Sequence, residues 1–374
     1  MNISAAYYQW NSTQPEADKT SFKKTLDTWK KKDLHQWIDN LHGSIHYLFI
    51  NGNTVPYYLP NHRQRHEAYV GSIVNQYIVY GLEEYEEKNG KKPWIGWLKK
   101  GVAGLFRTLQ LDKTIHIDMN LLSTSFASCN SALDYWEASA HLMERYPRHA
   151  LVIRGMTRPE LIEPLEDYGY WRITNRKIYQ VDMSSGFPKK KRPLQQDVKR
   201  WTKQEDYEWR PVDYNDENEL TRILELYRSI YLEKHSRLNP RYTPGFVRLA
   251  LEKQWLMGEV LVNDKNYPVA VQLYLVQDGQ ITTPFIGYDV TVPREHRLYP
   301  FLNLRLMEKA QSGGYLLNMS SGAGTFKKQR GGVGQLEFLL VHDRHLPWFR
   351  RIPWRLLSYF TEKYARPYLE EHDV

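Results

Sequence analysis

Two periodicities alternate along this chain, most clearly in its second half. Leu220, Ile223, Leu224, Tyr227, Ile230 and Tyr231 recur at helical spacing and predict a helix with one apolar stripe. Trp209 to Val212 reads as a short strand before it, and Phe246 to Met257 as a second helix after it. Gly258 to Val262 and Val269 to Val276 are strands joined by the turn Asn263-Asp264-Lys265-Asn266. Asp278-Gly279 signals a hairpin that returns through Gln280 to Gly287. Pro284 sits inside that strand and cannot donate to the ladder, which predicts a bulge or an edge there. A loop from Asp289 to Leu298 leads to a helix over Tyr299 to Ser312, ended by Gly313-Gly314. Tyr315 to Met319 is a strand, Ser320 to Gly334 a glycine-rich polar loop holding a short basic helix, and Leu336 to Val341 a last strand.

The first half is less regular. Ile45 to Ile50, Thr114 to Met119, His149 to Ile153 and Arg176 to Val181 read as strands, and Ala132 to Met143 and Pro159 to Tyr168 as helices. The alternation indicates an α/β (α+β) architecture and loosely repeats the order of the second half. The turn-rich Ser184-Ser185-Gly186-Phe187-Pro188 marks a crossing between units. The expected organisation is a lobe over 1–185, a basic linker over 186–208, a second lobe over 209–345 and a helical tail over 346–374.

Composition narrows the possibilities. A chain of 374 residues with 27 Tyr and 12 Trp can build two cores. No apolar run approaches a membrane span, and Met1 to Pro15 has no secretory pattern. The single cysteine, Cys129, excludes an internal disulfide and a cysteine metal cage, so a cytoplasmic location is expected. The net charge of +8 favours anionic partners. The basic residues fall in separate clusters: Lys30-Lys31-Lys32, Lys189 to Arg192, Lys327-Lys328 with Arg330, and Arg350-Arg351. Charge runs are usually solvated faces, and that reading covers most of them. Trp348 to Tyr368 also fits an amphipathic helix lying on a surface, without stable membrane insertion.

The second half's order of elements resembles the GCN5-related N-acetyltransferase (GNAT) family. That family places a bulge in its fourth strand, where Pro284 falls, to pair with the pantetheine arm of acyl-CoA. It holds the pyrophosphate at the next helix's N-terminus, where unpaired N–H groups face anions. The resemblance implies cofactor contacts from Gly287, Tyr288, Val292, Arg294, His296, Arg297, Leu298 and Tyr299. The family's Arg/Gln-x-x-Gly-x-Gly/Ala glycines are absent from this loop, so Arg294 and Arg297 would have to substitute.

Three segments resemble a two-lobed subset, the BioF2-like or CelD-like acetyltransferases, which are related to the Fem-type aminoacyltransferases. They are Ala150 to Arg154 through Leu165–Tyr170 to Arg176–Tyr179; Tyr231 to Tyr242; and Gly322 to Gly331 with Lys327 and Arg330. Asn120 to Ser125 is similar to a loop in such bacterial proteins. The likeness spans residues 145 to 345 and implies two tandem GNAT-like lobes. Each would be a mixed, mostly antiparallel sheet flanked by helices, the first degenerate and the second catalytic. It further implies acyl-CoA as co-substrate and direct attack in a ternary complex, in which Cys129 needs no chemical role.

Acyl transfer to an amine requires an amine stripped of its proton, a polarised carbonyl and a stabilised leaving group. Tyr231, His235, Arg237 and Asn239 form the densest polar group. Tyr231 and His235 are one helical turn apart, and His235 is a candidate base near neutral pH. A capping cluster at the helix end explains the same residues, and Tyr231 also completes the apolar stripe. Ser320 and Ser321 with Lys327 and Arg330 suit an anion, although no phosphate-binding P-loop frame is present and a plain surface loop is the alternative. Tyr288-Asp289 follows the bulged strand and would face the acyl group. Glu337 points away from Leu336 and Phe338, either to solvent or into a pocket as a base. The candidate catalytic set is therefore His235, Tyr231, Glu337 and Lys327; the candidate substrate set is Arg237, Asn239, Asp289, Ser320, Ser321 and Arg330.

His35, His42 and His46 lack a His-Glu-x-x-His pattern, so no metal is expected, and no Gly-x-Ser-x-Gly elbow supports a hydrolase. The leading expectation is an N-acyltransferase using acyl-CoA on the amine of a small metabolite, amino sugar or peptide. The alternatives are an aminoacyl-tRNA-dependent transferase, for which tRNA would be a partner, and a non-catalytic binding module on the same fold.

Overall fold

The computed structural model describes residues 19–61, 67–90, 93–124, 126–188 and 191–373. Met1 to Pro15, Ser125 and the Lys189-Lys190 part of one basic cluster lie outside the described residues.

The chain opens with helix α1 (Lys19–Trp29) and the hairpin of strands β1 (Gly43–Ile50) and β2 (Asn53–Pro60). A π-turn, Asn75–Tyr80, runs into α2 (Gly81–Asn89), followed by α3 (Pro93–Thr108) and β3 (Thr114–Ile117). Then come α4 (Ala132–Arg145), β4 (Ala150–Met156), α5 (Pro159–Asp167), β5 (Trp171–Asp182) and α6 (Arg192–Trp201). The second lobe runs β6 (Tyr207–Pro211), α7 (Glu217–Arg228), a π-turn at Ser229–His235, α8 (Pro244–Glu252), β7 (Met257–Asn263), β8 (Pro268–Gln277) and β9 (Gln280–Tyr288). It continues with α9 (Leu298–Gly313), β10 (Leu316–Asn318), α10 (Gly324–Lys328) and β11 (Val333–His342), and the chain closes on α11 (Trp348–Phe360) and α12 (Arg366–Glu371).

Among the described residues, eleven strands form one mixed sheet, ordered β1-β2-β3-β4-β11-β5-β10-β9-β8-β7-β6. Each lobe contributes a parallel pair, β3 with β4 and β9 with β10, in otherwise antiparallel surroundings. Between them lies an exchange. The final strand β11 inserts between β4 and β5 of the first lobe, and β5 in turn pairs with β10 of the second. The β5/β11 pair thus completes both half-sheets, and neither lobe's sheet closes without a strand from the other.

Helices cover both faces, as the two-sided burial of these strands requires. Over the first lobe, α4 and α5 pack on Leu151, Ile153 and Leu340, and α3 and α11 pack on Val152, Leu339 and Val341 of the opposite face. In the second lobe, Val260 and Val262 face α7 and α8 while Leu261 between them faces α9, the period-two alternation of a strand. The lobes also share a core. Trp29 of α1 stacks on Phe246 of α8 at 5.5 Å and meets Trp255 edge-on at 5.1 Å.

The expected two-lobed α/β architecture is present. Strand β2 carries Pro56 and Pro60, which break its strand signature, and the segment expected as a basic linker contains helix α6. The bulge falls where Pro284 predicts: Leu273 pairs with Phe285 and Leu275 with Thr282, so Tyr274 alone faces both Thr283 and Pro284.

Close packing at the end of this strand explains Gly287. A Cβ there would stand 2.5 Å from the backbone carbon of Leu226 in α7. Gly287→Ala should therefore push β9 from α7 and lower stability by about 1–3 kcal/mol, read as a lower urea midpoint. An unchanged midpoint would refute this packing.

Candidate active site

Strands β9 and β10 pair only from Gln280–Leu316 to Thr282–Asn318 and then part. β9 continues through the bulge to Tyr288, while the other chain turns away through left-handed Ser320, Gly322 and Ala323 into α10. The result is a wedge-shaped cleft at the C-terminal ends of a parallel pair. A first-lobe loop closes its inner end: Ser123 Oγ donates to Pro284 O (3.3 Å), and the Thr124 and Ser320 hydroxyls hydrogen-bond at 2.8 Å. At the outer end Tyr299 of α9 lies between Tyr288 and Phe326, with ring centroids 6.0 and 4.9 Å away.

Beside this cleft lies a buried polar cluster built on a second bulge. Arg176 faces Glu337 across the β5/β11 pair, but Phe338 pairs with Thr174, leaving Asn175 as the extra residue. The bulge turns both Asn175 and Arg176 toward one carboxylate. Glu337 accepts from Asn175 Nδ2 (2.6 Å) and from Arg176 Nε (2.9 Å) and Nη2 (3.0 Å). Arg176 Nη2 reaches on to Ser123 O (3.1 Å), tying the cluster to the cleft loop. Burial opposes the Arg176 charge, yet Glu337 outweighs it and holds the guanidinium pKa above its ordinary value. Arg154, held by Val70 O, lies in the same cluster, and burial lowers its pKa.

Tyrosines surround these charges. Tyr80 and Tyr231 lie close enough to Arg176 to feel its charge, and burial raises the pKa of each, so both are neutral phenols at physiological pH. The Tyr77 hydroxyl is buried with no hydrogen-bond partner, near Arg154, Glu337 and Arg176. A buried donor without a partner costs stability unless a ligand or water satisfies it.

Lys327 projects from α10 into this region. Its Nζ donates to Ser320 O (3.2 Å) and Ser321 O (2.7 Å) and lies over the Tyr179 ring. Burial, and then the nearby Arg176, push its pKa from 10.5 down to about 7. A neutral amine keeps two N–H groups, enough for both carbonyls, so deprotonation breaks neither hydrogen bond.

Tyr231, Lys327, Glu337, Ser320 and Ser321 therefore converge on one region spanning both lobes. The remaining candidates have other positions. His235 is exposed at the end of the π-turn, and Arg237 is also exposed. Asn239 is buried, with Nδ2 on Tyr231 O and Ser236 O, both 2.9 Å. Asn40 of the first lobe accepts from Arg241 N and donates to Asn239 O, so this segment fastens the lobes together. Arg330 and Arg297 both pair with buried Asp197 of α6. Asp289 pairs with Arg222 at 2.6 Å. His296 Nδ1 lies 2.7 Å from the Tyr207 hydroxyl. Arg294 is exposed, Val292 half-buried, and Leu298 buried in the first turn of α9. Arg154, Asn175, Tyr77 and Tyr80 carry no sequence signal for this cluster. Arg176 stands in a strand that also carries Arg172, Lys177 and Asp182, so its charge does not single it out either.

Between α6 and the start of α9 is a groove of about 580 Å³ lined by Lys199, Arg200, Lys203, His296 and Arg297 together with Asp206 and Glu295. Among the described residues, Asp33, His35 and His42 bring ligand atoms within 4.8 Å of one another, on the segment before β1 and apart from the elements that form the cleft. No helix among the described residues is long and apolar enough to cross a membrane.

A parallel pair splayed beside a bulged strand sits inside a sheet completed by a second lobe of like order. Residues 189–328, from the basic segment before α6 to the end of α10, match the acetyltransferase (GNAT) domain family. That match lies in α6 and the second lobe, and the sheet as a whole has a two-lobed, GNAT-like fold. Its fold is similar to the C-terminal DUF2156 domain of a protein assigned as a lysylphosphatidylglycerol synthetase from Agrobacterium fabrum, with TM-score 0.52, 13% identity, and 91% of this chain and 95% of that one covered. It is likewise similar to L-PGS from Bacillus licheniformis, with TM-score 0.52, 15% identity and coverage of 92% and 98%. A conserved protein of unknown function from Bacteroides thetaiotaomicron VPI-5482 shares the fold at TM-score 0.50, 12% identity and coverage of 87% and 90%. A sequence comparison with curated proteins gives no significant match.

The lowered pKa of Lys327 has a measurable consequence. Between about 7 and 10.5 the unfolded chain binds the proton that the folded chain has released, so this group makes stability rise with pH across that window. In Lys327→Met that contribution disappears, and urea midpoints across the window should climb less than in the parent. Parallel curves would show that Lys327 is not the buried titrating group.

Proposed function

We propose that this protein is an N-acyltransferase that takes its acyl group from acyl-CoA bound in the β9/β10 cleft. It delivers the group to a primary amine of a small metabolite, amino sugar or peptide. The observation that carries this reading is Lys327, a buried amine that titrates near neutrality beside the wedge of an acetyltransferase-family domain.

Neutral Lys327 takes the proton of the incoming ammonium. The freed amine attacks the thioester carbonyl, and the tetrahedral adduct collapses with loss of the thiolate of CoA. Tyr231, a neutral phenol, gives its proton to that thiolate, and its phenolate, stabilised by Arg176, takes the second proton shed by the adduct's nitrogen as the amide forms. Glu337 is a positioning residue: with its oxygens committed to Arg176 and Asn175, it fixes Arg176 and serves poorly as a base. Asp197 engages Arg297 and Arg330, so Lys199 and Arg200 of α6 and Lys203 just beyond it are the cations for the phosphates of the donor, in the groove at the head of α9.

A donor at a hundred times its dissociation constant adds about 2.7 kcal/mol of stability, a clear thermal shift. Acetyl-CoA or a longer acyl-CoA should give that shift in the parent and a reduced one in Lys199→Gln/Arg200→Gln. Lys327→Met should keep donor binding and lose turnover by about 10²–10⁴-fold, together with the ionisation near 7 in kcat/KM. Absence of binding by every acyl-CoA tested would sink this reading.

The basic face of α6 also supports a second reading, transfer from an aminoacyl-tRNA, because Lys199, Arg200 and Lys203 suit a phosphate backbone as well as one nucleotide. It requires tRNA binding that falls steeply with salt. Donor binding without turnover on any amine would favour the non-catalytic binding module.

A further inference from the structure

We propose that the face formed by α3 and the α11–α12 run is a docking surface for an anionic lipid bilayer, on which the protein lies without crossing it. The two helical segments sit on the same side of the sheet. Phe106 of α3 and Trp354 of α11 share one core cluster with Val152, Leu339 and Val341. Arg350 fastens the start of α11 to the end of α3 through Gln110, with bonds of 2.7 Å to Oε1 and 3.1 Å to the carbonyl.

Their inward faces are thus satisfied, and their outward faces are apolar as well. Among the described residues, twelve of the eighteen exposed large hydrophobic side chains lie on these segments. Trp97 is 80% exposed and Trp348 73%. The outward positions keep helical spacing: Trp94, Trp97 and Leu105 along α3, then Phe349, Leu356 and Phe360 along α11. A stripe of this length that faces water on a folded chain marks an interaction surface.

Charge selects the occupant. Residues 93–108 and 348–360 contain no Asp or Glu, the whole run 348–371 sets five Lys and Arg against Glu362, Glu370 and Glu371, and Lys100, Arg351 and Arg355 flank the exposed aromatic residues. Docking of this face on a second copy of itself would set like charges against one another. A negatively charged headgroup layer complements them, and its interface is where Trp and Tyr rings rest best. With no membrane-crossing helix among the described residues, the arrangement is that of a protein lying in the interface plane. The run also ends against the cleft's own elements: Lys177 Nζ donates to His372 O (3.1 Å), and Asp373 pairs with Lys328 of α10 at 2.6 Å.

The test is sedimentation of the full chain with vesicles of phosphatidylcholine alone or of phosphatidylcholine mixed equally with phosphatidylglycerol. Binding should require phosphatidylglycerol and weaken as salt rises. Arg351→Gln/Lys363→Gln should weaken it about thirtyfold, roughly fivefold per charge. Trp97→Ser/Phe349→Ser should weaken it more than about tenfold, through lost apolar burial, with an unchanged thermal midpoint because both side chains are exposed. No binding, equal binding to both vesicle types, or binding that ignores the Trp97/Phe349 change would overturn the proposal. A soluble dimer that the same two substitutions dissociate would also overturn it and assign the face to a second copy.

Discussion

The pairing of β5 with β11 is the constraint on which the rest of this molecule depends. Each strand completes the other lobe's half-sheet, so neither lobe can close its sheet by local folding alone. Among the described residues of that pair's register, the directly opposed charges are Arg176 and Glu337, set at a bulge where an extra residue, Asn175, adds a third hydrogen bond. Removing one partner of a buried ion pair strands the other charge, which is why such a pair specifies register strongly even where it adds little net stability. Through Ser123 and Thr124 the same guanidinium reaches the loop that closes the β9/β10 cleft. The fold's long-range join and the candidate site are therefore one structure.

That join also accounts for the character of the site. Burial, and then the nearby Arg176, suppress the protonation of Lys327, while a shell of buried tyrosines remains neutral. Proton transfer at neutral pH needs groups that ionise in that range or remain reliable donors there. Both lobes build the site: the second supplies the cleft, Tyr231 and Lys327, and the first supplies Arg176, Tyr77, Tyr80 and the closing loop.

Much of the second lobe was legible in the sequence, because its strands alternate cleanly and are punctuated by turns such as Asp278-Gly279. Pro284 announced its own bulge, since a residue without an N–H cannot sit in a regular ladder. The strand exchange was not legible. Period-two patterning says which face of a strand is buried and nothing about which strand lies beside it. Strand β2 was hidden by Pro56 and Pro60, and α6 by its charge. At the site, Tyr231, Lys327 and Glu337 stood out by residue type, while Arg176 and Asn175 gain their meaning from a bulge that only the folded register reveals. The segment after α7 is a π-turn with i→i+5 bonding, in which Tyr231 packs inward and His235 is exposed while their rings still lie 6.3 Å apart, as their spacing of four suggests.

The most direct measurement is a crystal structure of the protein with a non-transferable thioether analogue of acyl-CoA. The account predicts the pantetheine arm in the wedge between Pro284 and Ser320, the sulfur near Tyr231, the reacting carbon within reach of Lys327, and the phosphates against Lys199 and Arg200. An analogue bound anywhere else, with the wedge still closed by Ser123 and Thr124, would contradict it.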